Sequence, residues 1–190
     1  MRKLILLTII AVALAASTAR AQGALPIQIL PFFFTVDLDL KDDGSGTMSL
    51  TYPATPVTSF ETERRRFASE TTRATDSKIR DGIVYTTVAF DDVTRLSQVA
   101  DLSSVSAERL TDADGSRLVR ARLRSPVLGD IRSDANVTIR VTLPGTVLKS
   151  NAQESSGRSA LWKAPAKQFF MEDGIQIQVS YKPEAGDKKS

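Results

Sequence analysis

The strongest constraint on the fold is a regular alternation of apolar and polar side chains on both sides of a glycine-rich turn. Apolar residues occupy every second position from Val36 to Leu40 and again from Met48 to Tyr52, with the segment Asp43–Gly46 between them. A period of two is typical of a β-strand that buries one face, and aspartate and glycine suit a tight turn. The sequence therefore predicts a β-hairpin over residues 35–52.

Several later stretches have the same signature. Strands are predicted at residues 83–90, 105–110, 116–123, 137–143, 160–163 and 175–181, where apolar residues alternate with polar ones or β-branched residues dominate. The segment Asp112–Gly115 separates two of these strands and predicts a second hairpin. Arg120, Arg122 and Arg124 are expected to point outward from that hairpin, where acidic residues of a neighbouring strand can neutralise them.

Two helices are predicted between the early and the middle strands. Thr58 and Glu61 have the spacing of a capping box at the start of a helix that would extend to about residue 76. Phe60 and Phe67 would share one face of that helix. Asp91 is expected to cap a second, shorter helix, because apolar residues follow it at helical spacing.

These elements together predict an α+β fold. It consists of a mainly antiparallel sheet of about seven or eight strands, with two helices inserted between the early and middle strands. The alternation implies that one face of the sheet is buried and the other is wet. Either the two helices cover the buried face or the sheet curls on itself.

The first 21 residues have the features of an export signal. Arg2 and Lys3 precede an apolar stretch over residues 4–16, and the segment Ala19–Ala21 has the small-residue pattern of a cleavage site. The alternative is an uncleaved signal that anchors the chain, although the stretch is shorter than the roughly 20 residues of a membrane span. We predict a signal peptide over residues 1–21, one α+β domain over residues 22–182 and a disordered tail over residues 183–190. The protein would be periplasmic or secreted by a bacterium.

The charge of the exported chain argues against a nucleic-acid partner. The full sequence has 25 Lys and Arg against 22 Asp and Glu. Three of the basic residues lie in the signal, so its removal leaves 22 basic residues against 22 acidic ones. A chain without net charge lacks the positive field that nucleic-acid binding requires.

The lack of cysteine and histidine restricts the chemistry that is available to this chain. Without these residues there is no disulfide, no acylated lipobox cysteine, and neither the usual general base nor the commonest metal ligand. The acidic residues near Gly44 and Gly115 lack the spacing of a calcium loop, and the pair Asp91–Asp92 suits a helix start. We predict no catalytic, cofactor or metal site and no enzymatic activity. An enzyme built on carboxylates alone, such as a glycosidase, is the alternative.

Two further clusters allow more than one interpretation. Phe32, Phe33 and Phe34 form the densest aromatic cluster, and they either belong to the core or line a site for an apolar ligand. The run Arg64–Arg66 can contact anionic lipid headgroups. Nearby glutamates favour instead a solvated helix face with local ion pairs.

The segment Val137–Trp162 carries a recognisable pattern. A strand that ends in Leu-Pro-Gly leads to Asn151, then to a glycine-containing loop and to the only tryptophan, and the hairpin turn at 43–46 fits the same layout. This pattern resembles the LppM-like family of bacterial envelope domains. The resemblance implies an α+β envelope domain that is often tethered by a lipid or a membrane segment, with lipid or glycolipid binding suspected in some members. It also implies structural roles for Pro144, Gly145, Asn151 and Trp162. This chain departs from the family in having no lipobox cysteine.

The predicted function follows from these observations. We expect a non-enzymatic, exported envelope domain that binds an apolar or amphipathic ligand such as lipid, without a cofactor. The alternative is a structural or assembly protein of the cell envelope that acts through protein–protein contacts. The expected partners are a lipid or an envelope protein, and contact with the membrane would be peripheral or through an uncleaved signal.

Overall fold

The structure is a computed structural model that describes residues 35–124 and 135–184. These residues all fall within one structural unit, Pro31–Ser190. The predicted signal peptide, the cluster Phe32–Phe34, the segment 125–134 and residues 185–190 of the predicted tail lie outside the described residues. No helix within the described ranges is long and apolar enough to span a membrane.

The described residues form eleven strands and four short helices. The strands are β1 (Thr35–Leu40), β2 (Gly46–Pro53), β3 (Thr72–Arg80), β4 (Ile83–Phe90), β5 (Val105–Thr111), β6 (Arg117–Leu123), β7 (Asn136–Thr142), β8 (Gly145–Ser150), β9 (Glu154–Ser156), β10 (Ser159–Pro165) and β11 (Ile175–Pro183). The α-helices are α1 (Phe60–Arg66) and α2 (Ala166–Phe169), and the 3₁₀ helices are η1 (Val93–Gln98) and η2 (Ala100–Leu102).

The strands form two sheets. A seven-stranded sheet has the order β3-β4-β2-β1-β7-β10-β9, and a four-stranded sheet has the order β5-β6-β11-β8. The predicted hairpins are both present, with Val36 opposite Leu50 in the first and Ala107 opposite Ala121 in the second. All pairs are antiparallel except β1 and β7, which run parallel. The prediction of an α+β fold with a mainly antiparallel sheet is therefore confirmed at the level of its class.

The apolar positions of the alternating strands point into the space between the two sheets. Val36 and Ile139 are neighbours in the seven-stranded sheet, Ile177 lies in the four-stranded sheet, and all three are buried. The side chains between them on each strand are the polar ones and stay more exposed. Burial of these apolar faces supplies the main driving force for folding, at about 25 cal/mol per Å² of buried surface.

Neither of the two predicted covers is present, because the buried face is covered neither by two helices nor by the same sheet curled on itself. A second sheet covers the inner face of the first, and the short helices lie at its margins. A strand with one buried face has the same alternation whether a helix or another sheet covers it, because the period records only which side chains are dry. The number of strands is also higher than expected.

The first helix differs from its prediction in its cap and its length. Ser59, not Thr58, is the N-cap, and its reciprocal partner is Thr62 rather than Glu61. The helix ends at Arg66, and residues 72–80 form β3 instead of continuing it. Phe67 is fully buried whereas Phe60 is half exposed, so the two phenylalanines do not form one buried stripe.

Further details of the chain differ from their prediction. Asp92, not Asp91, caps the next helix, and that helix is of the 3₁₀ type. The strand predicted to end in Leu-Pro-Gly does end there, but a strand that was not predicted, β8, begins at Gly145 and belongs to the other sheet from β7. The expected loop after Asn151 contains β9, and β11 extends to Pro183, one residue into the predicted tail.

Candidate functional site

The most prominent internal feature is an apolar gap between the two sheets. It has a volume of about 50 Å³. The seven-stranded sheet contributes Val36, Leu38, Met48, Leu50, Ile139 and Val141 to its walls, and the four-stranded sheet contributes Val105, Ala107, Val119, Ala121, Leu123 and Ile177. These side chains present only hydrocarbon and one thioether, so the gap attracts apolar groups and offers water no hydrogen bond.

Short helices close the gap along its margin. Val93 and Leu96 of η1, Leu102 of η2 and Phe169 of α2 line it there, together with Ser104, which follows η2. The start of η1 is fixed at Asp92, whose carboxylate accepts a hydrogen bond of 2.9 Å from the Thr94 amide. Hydrogen bonds of 3₁₀ helices have poorer geometry than those of α-helices or sheets, so this margin is the easier wall to displace.

The size of the gap limits what it holds in this conformation. Its volume of about 50 Å³ is a third of the roughly 150 Å³ of an apolar protein cavity that admits benzene. An acyl chain would have to move η1 and η2 outward or separate the sheets. A ligand as large as an acyl chain therefore requires a more open conformation of the domain than this one.

Two arginines of the four-stranded sheet hold the turn between β1 and β2. Arg117 forms an ion pair of 2.7 Å with the carboxylate of Asp42, and Arg109 donates a 3.0 Å hydrogen bond to the Asp42 carbonyl. Gly44 has a φ of +94°, and an added Cβ would overlap with the Arg109 guanidinium. The Gly44 carbonyl accepts a bond from the amide of Val93, which ties the turn to η1 as well. This contact joins both sheets and the helical margin at one end of the gap.

A second junction is built by residues that carry the family pattern. The Oδ1 atom of Asn151 accepts two hydrogen bonds of 2.8 Å, one from the indole N–H of Trp162 and one from the backbone N–H of Gln178. Trp162 belongs to the seven-stranded sheet and Gln178 to the four-stranded sheet, so the Asn151 side chain joins the two. Gly145 lies where β8 begins against β11, and a Cβ there would be 2.0 Å from the Lys182 carbonyl oxygen. Asn151 and Trp162 thus join the two sheets, whereas Gly145 permits the close approach of β8 and β11 within one sheet.

A buried charged cluster fixes α1 against the seven-stranded sheet. Glu63 is only 1% exposed, and it accepts hydrogen bonds from the Tyr52 hydroxyl and, at 2.8 Å, from Arg66. Arg66 also donates to Asp101 of η2 at 2.5 Å and lies 5.4 Å from the centre of the Tyr52 ring. Burial alone lowers the pKa of Arg66, but the acceptors on Asp101 and Glu63 raise it above its ordinary value.

This cluster predicts a specific loss of stability in alkali. Burial, followed by the hydrogen bond to Glu63, raises the pKa of Tyr52 well above its ordinary value near 10. Above pH 10 the folded state thus retains a proton on Tyr52 that the unfolded state loses. The contribution of Tyr52 to the free energy of unfolding is therefore complete below pH 10 and declines as the pH rises further. The free energy of unfolding should fall by up to about 1.4 kcal/mol per pH unit from this one group.

The comparison that isolates this effect is with Tyr52→Phe. Urea unfolding at a series of pH values should show that the stability difference between wild type and variant shrinks steadily above pH 10. A difference that stays constant up to pH 11.5 would show that Tyr52 does not retain its proton on folding.

The two predicted groups of surface arginines form ion pairs with nearby glutamates. Arg65 pairs with Glu61 at 3.0 Å on the exposed face, as a solvated helix face requires, but Arg66 is only partly exposed and belongs to the cluster described above. Arg120 pairs with Glu108 at 3.1 Å on the neighbouring strand, as expected of the outward row. The aromatic cluster Phe32–Phe34 lies outside the described residues.

The acidic turns have structural contacts. The carboxylate of Asp43 accepts a hydrogen bond from the Ser45 amide, and that of Asp114 accepts one from the Ser116 amide, both at 2.9 Å. Hydrogen bonds from the same serines lower the pKa of both aspartates. Within residues 35–124 and 135–184, no group of three or more acidic, histidine or cysteine side chains is placed to hold a metal ion.

The residues that sequence reasoning missed are those whose partners are distant along the chain. Arg109 and Arg117 reach Asp42 across 67 and 75 residues. No local pattern marks such contacts. The pair Glu63–Arg66 has the i,i+3 spacing of a helical ion pair, which could have indicated their contact although not their burial.

Fold and site define a two-sheet α+β domain with an apolar interior. The model of the LppM domain matches residues 33–171, which is most of the chain, and the protein therefore belongs to the LppM domain family. This confirms the resemblance seen in the sequence. The NMR structure of the folded domain of LppM from Mycobacterium tuberculosis is similar, with a TM-score of 0.53 and 14% identity over 88% of this chain and all of that chain. At this identity the likeness shows a shared fold alone. None of the curated proteins matches the sequence.

Proposed function

We propose that this protein is a non-enzymatic, exported domain of the bacterial cell envelope that binds an apolar or amphipathic ligand, such as a lipid, between its two sheets. The observation that carries the proposal is the apolar gap, whose walls come from both sheets and from η1, η2 and α2. Membership of the LppM family and the signal-like N-terminus support the envelope location.

The chemistry of the gap favours hydrocarbon over a polar ligand. A ligand there would gain about 25 cal/mol per Å² of apolar surface removed from water, and Ser104 is the one polar residue among those that line the gap. The headgroup of an amphipathic ligand would remain at the margin formed by η1 and η2. The ligand would enter by displacing this margin, whose Val93, Leu96 and Leu102 would then pack on the ligand instead of on the sheets.

A variant that fills the gap provides the direct test. Ala121 lines the gap from the middle of β6, and Ala121→Val adds two methyl groups to it while suiting a strand. We expect stability to stay the same or rise by about 0.5–2 kcal/mol, as in other cavity-filling substitutions. Uptake of a fluorescent fatty acid, and the lipid found by mass spectrometry in protein from bacterial envelopes, should both fall.

The matched control is Ala89→Val, the same substitution on a strand position outside the gap, where Ala89 faces Thr47 and Arg73. It should leave ligand uptake unchanged. If wild-type protein takes up no lipid and carries none from the envelope, the ligand proposal fails. An envelope protein recovered by crosslinking in its place would then favour the alternative, an assembly protein.

A further inference from the structure

One end of the seven-stranded sheet gathers exposed apolar side chains. The strands β2 and β3 run parallel, because each pairs antiparallel with β4 between them, and both end opposite Ile83. The helix α1 begins seven residues after the end of β2, and its Glu63 contacts Tyr52 one residue before that end, which places the first turn of α1, with Phe60, near this end. The loop before α1 is joined to the β3–β4 turn by a hydrogen bond from the Ala54 amide to the Gly82 carbonyl.

Three large apolar side chains at this end are exposed to solvent. Val57 is 77% exposed, Phe60 is 50% exposed and Ile79, one residue before the end of β3, is 48% exposed. We call Val57, Phe60 and Ile79 the apolar tip. They are three of the seven large hydrophobic residues that are exposed within the described ranges. Exposed apolar residues gathered at one place are typical of a surface that binds a partner or a membrane.

The loop that carries Val57 is held in a defined conformation. The Thr58 hydroxyl accepts a hydrogen bond of 2.8 Å from the Thr55 amide, and the Thr62 hydroxyl donates one of 3.2 Å to the Val57 carbonyl. Two prolines, Pro53 and Pro56, further restrict the loop. Its apolar side chain is therefore presented to solvent by a pre-organised turn, which reduces the entropy that docking would cost.

The charges around the apolar tip favour an anionic partner. Arg65 and Lys78 are already paired, with Glu61 and Asp76 respectively. Among the described residues, Arg64 on α1 and Arg80 at the end of β3 pair with no carboxylate. One acidic side chain, Asp81 in the β3–β4 turn, opposes them and is likewise unpaired among these residues. Two unpaired cations thus face one unpaired anion.

We propose that the apolar tip docks this domain on an anionic lipid bilayer. Val57, Phe60 and Ile79 would enter the interface between headgroups and acyl chains, and Arg64 and Arg80 would contact lipid phosphates. Short apolar loops and helix ends with basic neighbours bind membranes in this way, by burial of apolar area together with attraction to anionic lipid. The chain has no cysteine to carry an acyl anchor, so this contact is non-covalent. It does not depend on the ligand proposed for the gap.

The absence of native cysteine permits a position-specific experiment on the full exported chain. Val57→Cys introduces a single thiol for an environment-sensitive nitrobenzoxadiazole label, and Leu148→Cys is the control at another exposed apolar position, 56% exposed on β8. Vesicles of phosphatidylglycerol and phosphatidylcholine should shift the emission of the label at position 57 to the blue but leave the label at 148 unchanged. Equal shifts at both positions, or none at position 57, would overturn the proposal. A retained signal peptide does not affect this comparison.

Charge and apolar variants supply the second measurement, the affinity for the same vesicles. Val57→Asp with Phe60→Asp should weaken binding, measured by sedimentation with the vesicles, at least tenfold relative to Leu148→Asp. Arg80→Gln should weaken it about fivefold and Asp81→Asn should strengthen it about fivefold, because each charge near an anionic surface is worth about 1 kcal/mol. Asparagine also tolerates the φ of +52° at position 81. Equal binding to pure phosphatidylcholine, or no response to the charge variants, would contradict an anionic partner.

Discussion

Replacement of Gly145 by alanine should destabilise the domain by about 3 kcal/mol, the upper end of the usual cost of overpacking and a large part of the stability of most domains. The added Cβ would lie 2.0 Å from the Lys182 carbonyl oxygen and 2.7 Å from the Pro183 Cα. Both neighbours belong to the backbone of β11 and cannot rotate away. Strands β8 and β11 would have to separate at the point where the chain crosses from one sheet to the other.

The control for this substitution is Gly157→Ala. Gly157 lies in the turn between β9 and β10, has no atom within 4 Å of an added Cβ, and differs from Gly145 in having a φ of +55°. Alanine at position 157 should lower the free energy of unfolding by about 1 kcal/mol, because it is strained at a positive φ. Urea unfolding followed by the fluorescence of Trp162, the only tryptophan, measures both variants. If the two variants lose similar amounts of stability, the close approach of the Lys182 backbone is not the reason that position 145 requires glycine.

The strands could be predicted from the sequence wherever one of their faces is dry and the other wet. This holds for the hairpin 35–52, for β7 and for β11, where every second side chain enters the core. It fails for β3, an edge strand whose residues are mostly exposed on both faces, so that no period of two remains. The local composition of that stretch, rich in Thr, Arg and Ala after a genuine helix start, is equally compatible with a longer helix.

The arrangement of the strands could not be predicted, because it depends on contacts between distant segments. The parallel pairing of β1 with β7 joins residues about one hundred positions apart, and the contact of Asp42 with Arg117 spans 75 residues. Gly145, Asn151 and Trp162 could be identified from the sequence as the positions that carry the family pattern, because they are close along the chain. Their partners on β11 could not, because nothing in residues 175–183 marks which sheet that strand joins.

Removal of the Arg66 guanidinium should cost about 3–5 kcal/mol, because it would leave the buried carboxylate of Glu63 without its cation. Arg66→Met keeps much of the aliphatic length that packs beside Tyr52 and Phe67 while it removes the charge. Glu63 would retain only the hydrogen bond from Tyr52, and Asp101 would lose the contact that ties η2 to α1. The expected result is a lower urea midpoint with loosening of η2, seen as faster amide hydrogen exchange there.

The neighbouring residue provides a control on the same helix with the same substitution. The side chain of Arg65 is 78% exposed and pairs with Glu61, itself 57% exposed, at 3.0 Å. Arg65→Met should therefore change the free energy of unfolding by less than about 1 kcal/mol, because exposed ion pairs contribute little. Replacing Glu63 by leucine together with Arg66→Met should recover part of the loss, since an apolar pair avoids the cost of one uncompensated buried charge. If Arg66→Met costs no more than Arg65→Met, the charged cluster does not hold α1 in place.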